Sequence, residues 1–179
     1  MMNTKEKKCL IAYFSRKGNN IVSGNVVNLP IGNTEVVTKM IQEMTEGDVF
    51  RIDTVSSYPV DYTETTEVAQ RELRENARPE LSGHVENMDS YNVIFLGYPS
   101  WWGTIPMPVA SFLSEYDLSG KTIAPFCTHE GSRLGRSVTD ITKLCPHSTI
   151  RDGLAVWGRD VENARYEVSG WLRKIGIVK

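Results

Sequence analysis

The stretch that decides the fold is Val-Ile-Phe-Leu-Gly-Tyr at residues 93–98, which continues directly into Pro-Ser-Trp-Trp-Gly-Thr-Ile-Pro at residues 99–106. An unbroken apolar run of this kind, ending in Gly-Tyr-Pro, predicts a strand that is buried on both faces. Proline suits the first turn of a helix, so Pro106 predicts that a helix begins there. A buried strand that leads through a short loop into a helix is typical of a parallel sheet covered by helices.

The loop between this strand and this helix carries two adjacent tryptophans, Trp101 and Trp102. Loops at the carboxyl ends of parallel strands are where open α/β sheets bind ligands. Two indole rings, beside backbone amides that Gly103 leaves free, suit a flat aromatic ligand. The alternative is that both rings cap the core beneath the loop. We favour the ligand site because the two tryptophans are paired in this position.

Composition limits the class of protein. The chain has 179 residues, of which 40% are hydrophobic and 23% are charged, as expected for one soluble globular domain. The net charge of −2 provides no basic surface for nucleic acid. Cys9, Cys127 and Cys145 are too few and too scattered for a disulfide framework or a metal cluster, which suggests a reducing compartment. The first apolar run is too short for a signal peptide or a membrane span, so we expect a cytoplasmic protein.

Strand and helix patterns alternate along the rest of the chain. The other predicted strands lie at residues 9–14, 47–52, 122–127 and 154–157, and the helices begin near Thr34, Asp61 and Pro106, after Ser132, and at Val161. Pro125 lacks an amide proton, so we expect irregular pairing in the fourth strand. Five strands alternating with five helices predict an α/β fold with a single doubly wound five-stranded parallel sheet and helices on both faces.

The loop after the first strand is unusually long. Gly-Asn occurs at residues 18–19 and again at residues 32–33, and the strand, loop and helix would close without the segment between the two copies. We therefore interpret residues 19–32 as an insertion in a single domain that spans residues 1–179. The apolar residues at 26–31 predict that the insertion packs against the body as a flap.

Three motifs after successive predicted strands carry a family resemblance. They are Tyr-Phe-Ser at residues 13–15 with Gly-Asn-Thr at 32–34, Gly-Tyr-Pro-Ser-Trp-Trp-Gly at 97–103, and Phe-Cys-Thr-His-Glu-Gly-Ser at 126–132. In this order they resemble the flavodoxin family, and most closely the bacterial flavodoxin-like proteins that lack a long insertion in the fifth strand. The resemblance extends from residue 9 to residue 175. It implies the strand order 2-1-3-4-5 and an FMN cofactor where the first and third strands meet.

The resemblance implies that the FMN phosphate lies between the first strand and the first helix. A phosphate needs hydrogen-bond donors and positive potential, which the amino end of that helix supplies through its free amides and dipole. Ser15 and Thr34 add hydroxyl groups, Asn33 adds an amide, and Lys17 adds a charge. The alternative is that Ser15, Asn33 and Thr34 only form a turn and a helix cap. Of the two Gly-Asn copies we favour the second at the phosphate, because the helix follows it.

The isoalloxazine ring is then expected between two loops. The expected contacts are Pro99, Ser100, Trp101, Trp102 and Gly103 on one side, and Thr128, His129, Glu130, Gly131 and Ser132 on the other. His129 and Glu130 have the alternative of being a solvated loop pair, and no catalytic role is assigned to them. Packing is favoured over a cofactor contact for Tyr58, Pro59 and Tyr62, and burial at a strand end is favoured for Cys127.

Two classes of function follow from the resemblance. The first is an FMN oxidoreductase that takes electrons from a reduced donor such as NAD(P)H and passes them to a quinone-like acceptor. The second is a flavodoxin that carries single electrons between redox proteins. Carriers are typically strongly acidic, and a net charge of −2 disfavours that class. No nicotinamide motif is visible, and a flavin-free binding module is disfavoured by the intact Trp-Trp loop.

Overall fold

The computed structural model describes residues 7–178. Strands and helices alternate along the chain, apart from two extra strands that follow the first one and two consecutive short strands before the last helix. The strands are β1 (Cys9–Tyr13), β2 (Gly18–Val22), β3 (Asn25–Leu29), β4 (Asp48–Arg51), β5 (Val93–Pro99), β6 (Thr122–His129), β7 (Thr149–Ile150) and β8 (Leu154–Trp157), and the helices are α1 (Asn33–Thr45), α2 (Tyr62–Arg74), α3 (Met107–Glu115), α4 (Ser137–Leu144) and α5 (Arg165–Lys174). Short 3₁₀ segments occupy Met88–Ser90 and Gly158–Asn163.

The main sheet is parallel and has the order β4-β1-β5-β6, with β7 and β8 both paired to the far edge of β6. Counting β7 and β8 as one interrupted strand, the order is 2-1-3-4-5, which confirms the prediction. α1 and α5 pack on one face over Ile11 and Phe95, and α3 and α4 pack on the other face over Leu96. The chain reverses its direction of winding between β1 and β5, and a crevice opens at the carboxyl ends of these strands.

Pro125 explains why the last strand is interrupted. Lys121 and Ile123 accept hydrogen bonds from Thr149 and Arg151 through their carbonyl groups, so alternate residues of β6 face this edge. Pro125 is the next residue with that orientation, and it has no amide proton to donate. Pairing resumes between Phe126 and Leu154. The irregular pairing expected at Pro125 therefore occurs on one side of β6, whereas the ladder to β5 continues through this residue.

Residues 18–29 form an antiparallel hairpin of β2 and β3. Its two-residue turn, Ser23-Gly24, has positive φ at both positions, 52° and 82°, as the twist of a tight hairpin requires. None of the residues in either strand is buried, and Val26 is 60% exposed. The prediction that apolar residues hold this segment down is wrong for Val26. Local strand pairing gives the segment its structure instead.

The two ends of α2 follow local signals. The Asp61 carboxylate accepts a hydrogen bond of 2.9 Å from the Glu64 amide, so Asp61 caps α2, at the predicted start of this helix. α2 ends at Arg74, and Asn76 adopts a left-handed φ of 50° just beyond it. Within residues 7–178, no helix has the length and apolar character needed to cross a membrane.

Candidate functional site

A cleft of about 240 Å³ lies at the carboxyl ends of β1, β5 and β6, where α1 begins. A neighbouring hollow of about 290 Å³ opens towards α2 and shares several lining residues with the cleft. The cleft brings together ten of the predicted site residues: Ser15, Asn33, Thr34, Pro99, Ser100, Trp101, Thr128, His129, Glu130 and Ser132. Trp102 lines the hollow, whereas Lys17, Gly103 and Gly131 line neither space.

Four residues complete the cleft that were not among the predicted contacts: Arg16, Asn20, Ile21 and Tyr62. Arg16 lines the cleft, whereas Lys17 lines a separate hollow beside Tyr58 and does not line the cleft. Asn20 and Ile21 belong to β2, whose return to the cleft depends on tertiary structure. Tyr62, for which packing was favoured, lies at the start of α2 and lines both spaces.

The amino end of α1 is prepared for an anion. The Glu35 amide donates to Ser15 Oγ at 3.2 Å, and the Val36 amide donates to the Gly32 carbonyl. The amides of Asn33 and Thr34 have no hydrogen-bond partner among the described residues. Free amides at the positive end of a thirteen-residue helix attract a negatively charged group. This end of the cleft therefore suits a phosphate or a carboxylate.

Close packing leaves no space for a side chain at Gly32, beside the amino end of α1. A Cβ atom on Gly32 would collide with Ser15 Oγ and would lie 2.8 Å from the Arg16 carbonyl oxygen. Gly18 starts the hairpin instead and is paired with Leu29. The second Gly-Asn copy therefore lies against Ser15, and its Asn33 lines the cleft.

Arg16 ties the rim of the cleft to the start of α2. Its guanidinium donates to the carbonyl oxygens of Asn19, Pro59 and Val60 and to Thr65 Oγ1, the last two at 2.8 and 3.2 Å. Burial lowers the pKa of Arg16 from its ordinary value, and the neighbouring Tyr62 and Asp61 oppose that shift. The side chain brings positive charge to the cleft and also holds three segments of chain together.

The two tryptophans have different surroundings. Trp101 packs edge-on against Phe14 and Tyr58, with ring centroids 5.2 Å away in each case. Tyr58 also donates to the Glu72 carboxylate at 2.6 Å, which agrees with a packing role for this tyrosine. Trp102 is 52% exposed and donates from Nε1 to the Thr66 carbonyl at 3.0 Å. The core-capping alternative therefore applies to Trp101 in part, although Trp101 also lines the cleft and the hollow, and Trp102 is the more exposed of the two rings.

Residues 101–104 form a tight turn closed by two hydrogen bonds between Trp101 and Thr104, of 3.0 and 3.2 Å. Trp102 and Gly103 have φ values of 54° and 76°, the pattern of a type I′ turn. The Gly103 carbonyl accepts from the Arg136 amide at 2.9 Å, which anchors the turn to the following loop. The turn is therefore held by its own two hydrogen bonds and by the bond from the Arg136 amide.

Replacing Gly103 by alanine is expected to lower the free energy of unfolding by about 1–2 kcal/mol, because the left-handed region is unfavourable for a residue with a Cβ atom. No atom lies within 4 Å of the position that this Cβ would occupy, so the cost is conformational and not steric. Urea unfolding measures it. Gly83→Ala is the control, because Gly83 has no positive φ and its new Cβ would make ordinary contacts at 3.8 Å. Equal effects of the two substitutions would contradict the prediction.

The third loop places a neutral histidine in the cleft wall. His129 Nδ1 accepts a hydrogen bond of 2.9 Å from the Gly131 amide, so this bond assigns the proton of the neutral ring to Nε2. Burial lowers the pKa of His129, and the charge of Arg133 lowers it further. Nε2 is buried and has no partner within the described part of the chain. An orphaned donor in a cleft wall is a group that a ligand can satisfy.

The neighbours of His129 have polar partners of their own. Glu130 accepts from the Ser23 amide at 3.0 Å, and Ser132 Oγ donates to Ser100 Oγ at 2.8 Å. His129 is only 4% exposed, so the alternative of a solvated loop pair is wrong for His129, whereas Glu130 is exposed. Cys127 is buried as favoured from the sequence, and burial raises the pKa of its thiol to about 12. Cys127 is therefore not a reactive thiolate at neutral pH.

A doubly wound parallel sheet with a polar cleft at its switch point, bordered by a helix amino end, defines the class of nucleotide-binding α/β proteins. The sequence model of the family described as Flavodoxin matches residues 8–175. The chain belongs to the flavodoxin family. A comparison with curated proteins finds no match.

Solved structures share this fold over nearly the whole chain. A putative flavoprotein from Bacteroides eggerthii is 27% identical, with a TM-score of 0.77, and the match covers 96% of this chain and 99% of that one. A putative flavoprotein from Bacteroides uniformis is 23% identical with a TM-score of 0.72, over 92% and 99% of the two chains. A flavoprotein from Lactobacillus acidophilus, solved in complex with FMN, is 21% identical with a TM-score of 0.66, over 92% and 98%.

Proposed function

We propose that the protein binds FMN in the cleft and the neighbouring hollow and acts as an FMN-dependent oxidoreductase. The observation that carries the proposal is the pair of unpartnered amides at the amino end of α1, beside Ser15 and at the switch point of a flavodoxin fold. The FMN complex of the Lactobacillus acidophilus protein supports the same cofactor. The cleft alone is smaller than the pockets of about 300–1,000 Å³ that small molecules occupy, and the hollow supplies the remaining space.

The residues present suit each part of the cofactor. Ser15, Asn33 and Thr34 bind the phosphate with the free amides of α1, and Arg16 supplies the positive charge that the sequence had suggested for Lys17. The exposed ring of Trp102 is available to the isoalloxazine, and stacking of this kind contributes about 1–3 kcal/mol for bases on aromatic side chains. The Nε2 proton of His129 supplies a further donor. Bound FMN supplies the redox chemistry, and the protein binds and orients it.

The proposed reaction transfers electrons from a reduced donor, NAD(P)H, to a quinone-like acceptor. Two observations favour this enzyme over a one-electron carrier. The net charge of −2 offers little electrostatic steering towards a basic redox protein. The turn that carries Trp102 and Gly103 is held by Thr66 and Arg136, so its backbone has little freedom to rearrange with the state of the cofactor. Membership of the flavodoxin family keeps the carrier as the second candidate.

The first test is the absorption spectrum of the purified protein and its thermal stability with added FMN. We expect bound flavin, and a higher melting temperature with FMN than with FAD, because a ligand that binds only the folded state stabilises it. Anaerobic addition of NADH or NADPH with a quinone then tests the reaction. If FMN raises neither the flavin content nor the melting temperature, the proposed function is wrong. Turnover with redox proteins and none with NAD(P)H and quinones would support the carrier.

A further inference from the structure

The β2–β3 hairpin is attached to the body of the protein at two distant points. At its base, the Arg16 guanidinium donates to the Asn19 carbonyl. At its turn, the Ser23 amide donates to the Glu130 carboxylate at 3.0 Å, across a sequence separation of 107 residues. Arg16 follows β1 and Glu130 follows β6, and β5 lies between these strands in the sheet.

This connectivity makes the hairpin span the cleft. Neighbouring strands are about 4.8 Å apart, so the ends of β1 and β6 are separated by about 10 Å. A strand of five residues is about 16 Å long, which is enough to reach from one to the other. Asn20 and Ile21 of the inner strand line the cleft, and Asn20 also lines the neighbouring hollow. Val26 and Val27 of the outer strand are 60% and 38% exposed.

We propose that the hairpin is a cover over the cofactor, latched by the bond between Ser23 and Glu130, which admits small diffusible reaction partners and excludes redox proteins. The inference rests on the proposed function and adds the class of partner to it. A protein partner must bring its own redox centre close to the flavin, and an ordered hairpin across the cleft prevents that approach. A flat small molecule can enter on the side of α2, where Trp102 is exposed.

The pairing register of the hairpin shows which residues can be deleted so that its two ends still meet. Gly18 and Leu29 are paired residues, so replacing residues 19–28 by Asn-Gly joins them through a two-residue turn. We expect this truncation to accelerate FMN release at least about tenfold, by removing Asn20, Ile21 and the latch together. Release is measured as the rise in flavin fluorescence after the FMN-loaded protein is diluted into flavin-free buffer. The same variant, reduced with dithionite, should be oxidised faster by cytochrome c, whereas its oxidation by benzoquinone should stay within about twofold.

A second variant keeps the hairpin and removes only its latch. Glu130→Ala is expected to accelerate FMN release about threefold, since both partners of this bond are exposed to water and the bond is correspondingly weak. Glu130→Gln retains an oxygen that can accept the bond and should release FMN nearly as slowly as the wild-type protein. Val26→Ser alters an exposed residue away from the cleft and is the matched control.

The combination of the two changes separates a latch from a direct cofactor contact. If Glu130 acts through the hairpin, Glu130→Ala should have no further effect on release in the truncated chain. A persistent effect would mean that Glu130 contacts FMN itself, and the latch would be disproved. Unchanged release and unchanged oxidation by cytochrome c in a truncated protein that binds FMN would overturn the cover. Failure of the full chain to bind FMN would instead reject the proposed function.

Discussion

Replacing Ser15 and Thr34 together by alanine should weaken FMN binding by about 10²- to 10⁴-fold and riboflavin binding far less. Each hydrogen bond lost to a charged phosphate costs about 1.5–3 kcal/mol, and every 1.4 kcal/mol is a factor of about ten in affinity. Riboflavin lacks the phosphate, so its binding should depend mainly on the ring contacts. Fluorescence titration of the two flavins with the same protein preparation measures the difference.

The control for this experiment is Thr45→Ala, which removes a hydroxyl from the opposite end of the same helix. Thr45 Oγ1 donates to the Ile41 carbonyl, 2.8 Å away, and does not line the cleft. The double variant also loses the contacts of Ser15 with Glu35 and of Thr34 with Thr128, so its melting temperature without flavin must be recorded. Equal losses for FMN and riboflavin in a folded variant would show that the phosphate binds elsewhere.

Replacing Gly97 by alanine should lower the free energy of unfolding by about 3 kcal/mol, since inserting carbon into a packed core strains its neighbours. Gly97 lies in β5, where an added Cβ atom would overlap the ring of Phe126 on β6. Phe126 is completely buried, so its ring has no free space into which it can move. Urea unfolding measures the loss as a lower midpoint with an unchanged slope.

Gly170→Ala is the comparison variant, for which the free energy of unfolding is expected to rise instead of fall. Gly170 lies inside α5, and no atom lies within 4 Å of the position of its added Cβ. Alanine there should stabilise the protein by about 0.5–1 kcal/mol, because glycine is unfavourable inside a helix. If Gly97→Ala were as well tolerated as Gly170→Ala, the close contact between β5 and the Phe126 ring would be wrong.

Hydrophobic patterning accounts for what was predicted correctly. The run at residues 93–98 became β5 at the centre of the sheet, and the last predicted helix formed as α5, although it begins at Arg165, after a 3₁₀ segment, and not at Val161. Buried parallel strands and amphipathic helices have local signatures because each residue's burial follows the period of its own element. The motifs after β1, β5 and β6 were also found, since the carboxyl ends of parallel strands meet at one edge of the sheet.

The features that the sequence did not show concern residues whose surroundings depend on distant partners. Arg16 was not among the predicted contacts, because nothing in the local sequence shows that its side chain meets Pro59, Val60 and Thr65. Trp101 and Trp102 were treated as a pair, yet the aromatic cluster holds the first and the solvent reaches the second. Pro59, Val60 and Thr65 lie more than thirty residues from Arg16 in sequence. Phe14 and Tyr58 lie equally far from Trp101.

The sequence by itself determined the alternating elements, the order of the motifs and the helix amino end that attracts an anion, because periodicity, capping and the helix dipole act over a few residues. The tertiary structure alone decided which cation faces the cleft, which tryptophan stays open and where the hairpin lies. Those outcomes depend on Arg16, Trp102 and Glu130 meeting atoms that the chain brings from other strands and helices. Long-range packing of this kind leaves no period or motif in the local sequence, and so it becomes visible only in the folded protein.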